Sequence, residues 1–139
     1  NNTVFKNDYI ILLGNLKKSN HSDNIKIKEL LKFLNKKNII KFSISTYDIG
    51  IGNALLSSIL LCNNISGMNI YIKSSNSIED LLFGDKFNNY IIFLSEEYIF
   101  DIQKYSNTDK ISCLTIGKVT NENHLIINDG LVNIDINKL

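Results

Sequence analysis

The chain has 139 residues, a length that fits one domain with a core large enough to fold without disulfides. Hydrophobic residues make up 44% and charged residues 21%, values typical of a globular and not a disordered protein. The net charge of +1 argues against a nucleic-acid partner, and no apolar run reaches the roughly 18 residues of a membrane span. Since the first residues also lack signal-peptide character, we expect a cytoplasmic protein.

Arginine is absent, and all 15 basic residues are lysine. An anion site in this chain would therefore depend on lysine, backbone N–H groups or a helix N-terminus, because no guanidinium fork exists. Cys62 and Cys113 lie far apart in apolar runs, which predicts two buried, reduced thiols and not a disulfide or a metal pair. His21 and His124 are isolated in the sequence, so we expect no metal site.

The first forty-odd residues predict a strand, a helix and a second strand. Residues 9–13, YIILL, form an apolar, β-rich run that ends at Gly14. Ser22 or Asp23 can cap a helix after the following polar loop. Within this helix, apolar residues recur at helical spacing at Ile27, Leu30, Leu31 and Leu34. Residues 39–44, IIKFSI, predict the second strand.

A glycine-containing turn, STYDIGIGN at 45–53, follows the second strand. Gly50 and Gly52 allow the backbone to bend sharply or to approach another segment closely. The next segment, ALLSSILLC at 54–62, predicts a helix that is apolar on most sides. Such a helix is expected to be buried between a sheet and a second surface.

The rest of the chain predicts two helices and five strands. One helix is IEDLL at 78–82; the other spans 95–104, begins at Ser95 and carries acids in its first turn, which suits the helix dipole. The strands are expected at 67–73, 90–94, 111–119, 124–127 and 131–134. A turn at Asn128, Asp129 and Gly130 joins the last two.

The predicted order, β-α-β-α-β-α-β-α-β-β-β, is typical of an α+β fold with a mixed β-sheet flanked by helices. No internal repeat and no long linker divides the sequence, so residues 1–139 are expected to form a single domain. The opening NNTVFKND lacks Met, which indicates a fragment of a longer, multidomain chain.

Four segments, in this order and spacing, resemble one known domain. NDYIILLGNL is similar to the pattern GDxIxLLG, and STYDIGIGNALLSS to the turn and helix HDVSDGGLAxALAE. LLFGDKFNNYIIFLS is similar to LFSESxxRxxVxV, and TIGKVTNENHLII with the closing VNIDINKL to an IGxV strand and an LDxxxxxL ending. These patterns belong to the C-terminal domain of aminoimidazole ribonucleotide synthetase-like ATP enzymes. Within that superfamily, the chain most resembles the last domain of the synthetase subunit of phosphoribosylformylglycinamidine synthase.

The chain departs from the family pattern at its most distinctive positions. Ile44 and Ser45 stand where the family has His-Asp, and residues 47–50, YDIG, stand where it has Ser-Asp-Gly-Gly. Asn89 stands where the family has Arg. The resemblance thus implies the fold more strongly than it implies a preserved site.

Four residues remain as candidate substrate contacts. Asp48 and Gly50 carry over from the family turn, while Asp85 and Lys86 stand where the family has Glu-Ser. Asp48 could place an acid beside free N–H groups at a helix N-terminus, where an anion or a metal-bound water could bind. The alternative is a tight strand-to-helix turn in which Asp48 hydrogen-bonds its own backbone. For Asp85 and Lys86 the alternative is a simple exposed loop.

The resemblance implies a non-catalytic part of a larger enzyme. Catalysis and nucleotide binding in the family lie mainly in preceding domains, so the full-length chain would be an ATP-dependent C–N ligase of purine biosynthesis that uses ATP and magnesium. Its partners would be the preceding ATP-binding domain of the same chain and a glutaminase subunit or domain. For the 139 residues themselves we expect no catalytic residue and no cofactor.

Two alternatives remain open. The chain could belong to another superfamily member: a cyclo-ligase, a thiamine-phosphate kinase, or an enzyme of the selenide or hydrogenase-maturation type. It could also be a free-standing binding module that has lost catalysis, for which an exposed apolar patch would be expected.

Overall fold

The computed structural model describes residues 3–16, 21–62, 64–73, 77–84 and 88–139, which form seven strands and four α-helices. The helices are α1 (His21–Lys36), α2 (Gly50–Leu61), α3 (Ile78–Phe83) and α4 (Ile99–Thr108). The strands are β1 (Tyr9–Leu13), β2 (Ile40–Ser45), β3 (Met68–Ile70), β4 (Tyr90–Leu94), β5 (Cys113–Val119), β6 (His124–Ile127) and β7 (Val132–Asp135). The predicted α+β class is confirmed. No helix among the described residues is both long and apolar enough to cross a membrane.

All seven strands belong to one mixed sheet in the order β2-β4-β1-β5-β3-β6-β7. Strands β3 and β6 pair in parallel, and the other neighbours pair antiparallel. Because β1 and β2 both run antiparallel to β4, the carboxyl ends of β1 and β2 meet the amino end of β4 at one end of the sheet.

Helices cover both faces of the central strands, so β1 has no polar face. Ile10 and Leu12 are buried with the apolar side chains of α2 and α3, while Ile11 and Leu13 are buried with those of α1 and α4. Successive residues of a strand point to opposite faces, so a continuous apolar run is the pattern expected of a strand buried on both sides.

Helix α1 buries the four predicted residues, Ile27, Leu30, Leu31 and Leu34. The predicted cap was wrong, because the helix begins at His21 and includes Ser22 and Asp23. Asp23 lies in the first turn, where a carboxylate favours the positive end of the helix dipole.

Strand β3 is shorter than predicted, because a side chain replaces its last ladder bonds. The Asn128 amide nitrogen donates to the Ile72 carbonyl at 3.0 Å, and its oxygen accepts from the Ile72 N–H at 2.8 Å. Asn128 also starts the predicted turn, in which Asn128, Asp129 and Gly130 all have positive φ angles.

The helix predicted at 95–104 is a short 3-10 turn, Glu96–Tyr98, followed by α4, which continues to Thr108. Side-chain hydroxyl groups stabilise the polar residues 105–108, by which α4 extends beyond its predicted end. The buried Ser106 hydroxyl donates to the Ile102 carbonyl at 2.7 Å, and Thr108 donates to the Lys104 carbonyl at 3.0 Å.

Candidate functional site

The candidate residues lie at the end of the sheet where β1 and β2 finish and β4 begins. Leu13 and Ser45 both pair with Tyr90, so the loops after β1 and β2 leave the sheet beside the residues that lead into β4. Helix α2 starts from the loop after β2. We call this region, residues 13–16, 45–50 and 88–90, the glycine-turn end.

The turn from β2 into α2 is closed by backbone and hydroxyl groups. The Thr46 carbonyl accepts from the N–H of Ile49 at 3.2 Å and from that of Gly50 at 2.8 Å. The Ser45 hydroxyl accepts from the Tyr47 N–H at 3.1 Å. The helix therefore begins at Gly50, four residues before the predicted start.

Asp48 projects from this turn with a φ of +66° and an exposed side chain. Among the described residues its carboxylate has no hydrogen-bond or ion-pair partner. The alternative is correct in that residues 45–50 form a tight strand-to-helix turn, but wrong in its hydrogen bond, because the hydroxyl of Ser45 and the carbonyl of Thr46 close the turn and Asp48 does not. Contact between Asp48 and a substrate stays a prediction.

Gly50 and Gly52 make their close approach to α3. Gly50 has a φ of +82°, and a Cβ added there would lie 2.5 Å from the Leu82 carbonyl oxygen and 2.9 Å from the Phe83 Cα. A Cβ on Gly52 would lie 3.0 Å from the same oxygen. The two glycines thus let the first turn of α2 rest on the last turn of α3, and Gly50 is buried there. A substrate-binding role for Gly50 stays a prediction.

Asp85 and Lys86 lie outside the described residues, so contact between them and a substrate stays a prediction. Helix α3 leads to them and ends with Phe83, whose ring is 57% exposed, and Gly84, whose N–H donates to the Asp80 carbonyl at 2.9 Å.

Asn89, which stands where the family has Arg, is fully buried between the ends of β1 and β2. Its backbone carbonyl accepts from the Thr46 N–H at 2.9 Å, and its N–H donates to the Thr46 hydroxyl at 3.1 Å. Its side-chain nitrogen donates to the carbonyls of Leu13 at 3.3 Å and Asn15 at 3.1 Å. Asn89 therefore ties the loops after both strands together.

The other side-chain atom of Asn89, Oδ1, is buried and has no hydrogen-bond partner within the described residues. The amide orientation is chemically fixed, because a flipped amide would direct its oxygen at the carbonyls of Leu13 and Asn15. The sequence identified Asn89 only as a position at which the family pattern has arginine. In a chain so rich in asparagine, its identity carried no signal of burial.

A partly buried ion pair at the opposite end of the sheet was also missed. Lys41 Nζ lies 2.8 Å from Asp8 Oδ2, which also accepts from the Phe5 N–H at 2.7 Å. The register of β2 against β4 shifts between Ile40 and Phe42, so Lys41 is the extra residue of a β-bulge. The sequence feature that could have indicated this ion pair is the single lysine, Lys41, within the strand segment IIKFSI.

Neither cysteine is placed to act as a nucleophile. Burial raises the pKa of the Cys62 thiol and that of the Cys113 thiol, the latter partly offset by a hydrogen bond with Ser106. Both thiols are free and half-buried, less enclosed than predicted. Among the described residues, no three His, Cys, Asp or Glu side chains come together as a group that could hold a metal.

No family model and no curated protein matches this sequence. Solved structures do match. Phosphoribosylformylglycinamidine synthase II from Thermotoga maritima is similar with a TM-score of 0.81 and 8% identity, over 98% of this chain and 26% of that chain. T. maritima PurL complexed with ATP gives a TM-score of 0.82 and 9% identity, with the same coverage. Thiamine-monophosphate kinase from Stenotrophomonas maltophilia gives 0.66 and 11%, over 93% of this chain and 52% of that chain.

These similarities confirm the predicted fold, the one shared by a domain of PurL and by thiamine-monophosphate kinase. Identities of 8–11% establish the fold alone. The chain spans about a quarter of the length of the PurL chains it matches.

Proposed function

We propose that this chain is the C-terminal domain of a phosphoribosylformylglycinamidine synthase. The whole enzyme would use ATP and magnesium to activate the amide oxygen of formylglycinamide ribonucleotide. Ammonia released from glutamine by a glutaminase partner would then displace phosphate and give the amidine. The domain flanks the active-site cleft, supports the ATP-binding domain that precedes it and supplies no catalytic group of its own.

The fit to PurL over nearly the whole chain is the observation that carries this proposal. The T. maritima enzyme matches 98% of the chain at a TM-score of 0.81, whereas thiamine-monophosphate kinase matches 93% at 0.66. The difference favours the synthase over the kinase. The four sequence segments that resemble the synthase domain support the same choice.

The chemistry of the described residues supports a domain that does not catalyse alone. Asp48 is a single exposed carboxylate without a neighbouring base or cation among the described residues. Both thiols are protonated at neutral pH, because burial raises the pKa of each. A general acid–base or nucleophilic step needs a second, orienting group within hydrogen-bond reach.

The test uses the natural polypeptide that carries this segment, identified by immunoblot with an antibody to the 15.8 kDa domain. We expect a band several times larger, and a purified protein that forms the amidine from the ribonucleotide, ATP and either glutamine or ammonium, with one ADP per amidine. The folded 139-residue chain alone should release no ADP. A parent protein that phosphorylates thiamine monophosphate instead would contradict the proposal, as would a natural polypeptide of fragment size.

A further inference from the structure

The outward side of α2 is an uncharged helical surface that carries two exposed leucines. Helix α2 contains no charged residue. Its inner side chains, among them Ile51, Leu55 and Ile59, are buried against the sheet. The outward stripe follows the helical spacing i, i+3, i+4, i+7 and i+8 and consists of Asn53, Leu56, Ser57, Leu60 and Leu61. Leu60 is 68% exposed and Leu61 is 67% exposed.

Helix α1 shows what a solvent-facing helix looks like in the same chain. Its outward residues include Lys26, Lys28, Glu29, Lys32 and Lys36, all exposed. A lysine-rich sequence that places none of its lysines on α2 leaves an apolar stripe of the kind that marks an interaction site. The prediction that α2 is buried between the sheet and a second surface is confirmed for the sheet side only.

The first described residues lie beside the exposed end of α2. Thr3 and Val4 line the same cleft, about 570 Å³, as Leu61, Cys62 and Asn64. Val4 is 3% exposed and belongs to the same buried cluster as Ile59. A domain that precedes residue 3 in a longer polypeptide would therefore be tethered next to Leu60 and Leu61.

The first described residues are held against the sheet by the ion pair between Asp8 and Lys41. Asp8 accepts from the Phe5 N–H at 2.7 Å and from Lys41 at 2.8 Å, and the Lys41 ammonium lies 4.9 Å from the centre of the Phe5 ring. Residues 5–8 are thus fixed to the β2 bulge. A linker attached at this point raises the effective concentration of the attached domain at the adjacent surface, to an extent set by the linker length.

We propose that the outward stripe of α2 is the docking surface for the domain that precedes this one in the same polypeptide. The stripe selects an apolar, uncharged patch on that domain, because a charge placed against Leu60 and Leu61 would lose its hydration without gaining a partner. This inference rests on the proposed function, which supplies the preceding domain, and it adds the surface by which the two domains are joined.

The test compares the double variant Leu60→Asp/Leu61→Asp with Leu131→Asp in the parent polypeptide and in the 139-residue chain. Leu131 is a matched control, since it is 64% exposed but lies in the β6–β7 turn. Hydrogen exchange of the amides in residues 57–62 reports docking, because contact with a second domain suppresses local opening. We expect exchange about tenfold slower in the parent than in the chain. The double variant should abolish this difference, and Leu131→Asp should preserve it.

Three results would overturn the proposal. The first is equal exchange of these amides in the parent and in the chain. The second is an equal effect of both variants on the parent. The third is dimerisation of the 139-residue chain that the double variant abolishes, since the stripe would then bind a second copy. Exchange is measured without substrate, so a parent that protects α2 but forms no amidine would contradict only the proposed function.

Discussion

Gly50→Ala and Gly130→Ala should differ in cost, because both glycines have left-handed φ angles but only Gly50 is enclosed. Their φ angles are +82° and +97°. A Cβ on Gly130 would have no atom within 4 Å, whereas one on Gly50 would lie 2.5 Å from the Leu82 carbonyl oxygen. The pair therefore separates backbone strain from the contact between α2 and α3.

The expected magnitudes follow from these two terms. A left-handed conformation costs an L-residue about 1–2 kcal/mol, which is the whole expected loss for Gly130→Ala. Inserting a methyl group into a filled site costs a further amount of about 1–3 kcal/mol. Gly50→Ala should therefore lose about 2–5 kcal/mol, since the atoms it meets, the Leu82 oxygen and the Phe83 Cα, are backbone and cannot rotate away. For a domain of this size, 1 kcal/mol shifts Tm by about 4 °C.

Urea and thermal unfolding followed by circular dichroism measure both variants in one assay. The Tm of Gly50→Ala should fall about 4–12 °C below that of Gly130→Ala. Gly52→Ala is a third variant for the same comparison, because the φ angle of Gly52 is not left-handed and an added Cβ would lie 3.0 Å from the Leu82 oxygen. The favourable helix propensity of alanine, about 1 kcal/mol over glycine, should offset part of that crowding. Equal losses for Gly50→Ala and Gly130→Ala would refute the close contact between α2 and α3.

Two further substitutions test the polar interactions that the sequence did not reveal. Asn89→Ala should lower the free energy of unfolding by about 1–3 kcal/mol, because the buried carbonyl of Leu13 and the part-buried carbonyl of Asn15 lose their donor. The exposed control Asn53→Ala should stay within about 0.5 kcal/mol, and equal losses in urea unfolding would contradict the role of Asn89. Lys41→Met should lower the free energy of unfolding by about 3 kcal/mol, because the Asp8 carboxylate loses its ion-pair partner. Adding Asp8→Asn should recover part of that loss in a double-mutant cycle. Purely additive effects would show that the ion pair contributes nothing.

The sequence predicted strands β1 and β4 to the residue, for a physical reason, whereas β5 begins at Cys113, two residues after its predicted start. Strands β1 and β4 are apolar runs of five residues bounded by polar loops, and both lie where helices cover each face of the sheet. In that position, the last four residues of each run are buried and only the leading tyrosine is partly exposed. The helical spacing of α1 was equally informative, because only one of its sides meets the core.

Element ends were predicted less well, because contacts distant in sequence set them. The ladder of β3 stops at Ile70 since the Asn128 side chain, 56 residues away from Ile72, takes over its backbone bonds. Helix α2 starts at Gly50 and not at Ala54 because α3 supports its first turn. Neither partner is visible in a local window of sequence.

At the glycine-turn end, the features that carry over from the family and those that do not have different physical roles. Gly50, which carries over, is required by the contact with α3, so its presence reports the fold and says nothing about a ligand. The family's arginine is replaced by Asn89, whose side chain is enclosed and bonded to the Leu13 carbonyl. A charged side chain enclosed in that way would need a buried partner, whereas a neutral amide needs only hydrogen bonds. Asp48 is then the one retained acidic residue of the described turn, and it faces solvent. The described turn therefore keeps its packing glycine, Gly50, and one exposed acid, while a neutral, enclosed amide stands where the resemblance places an arginine.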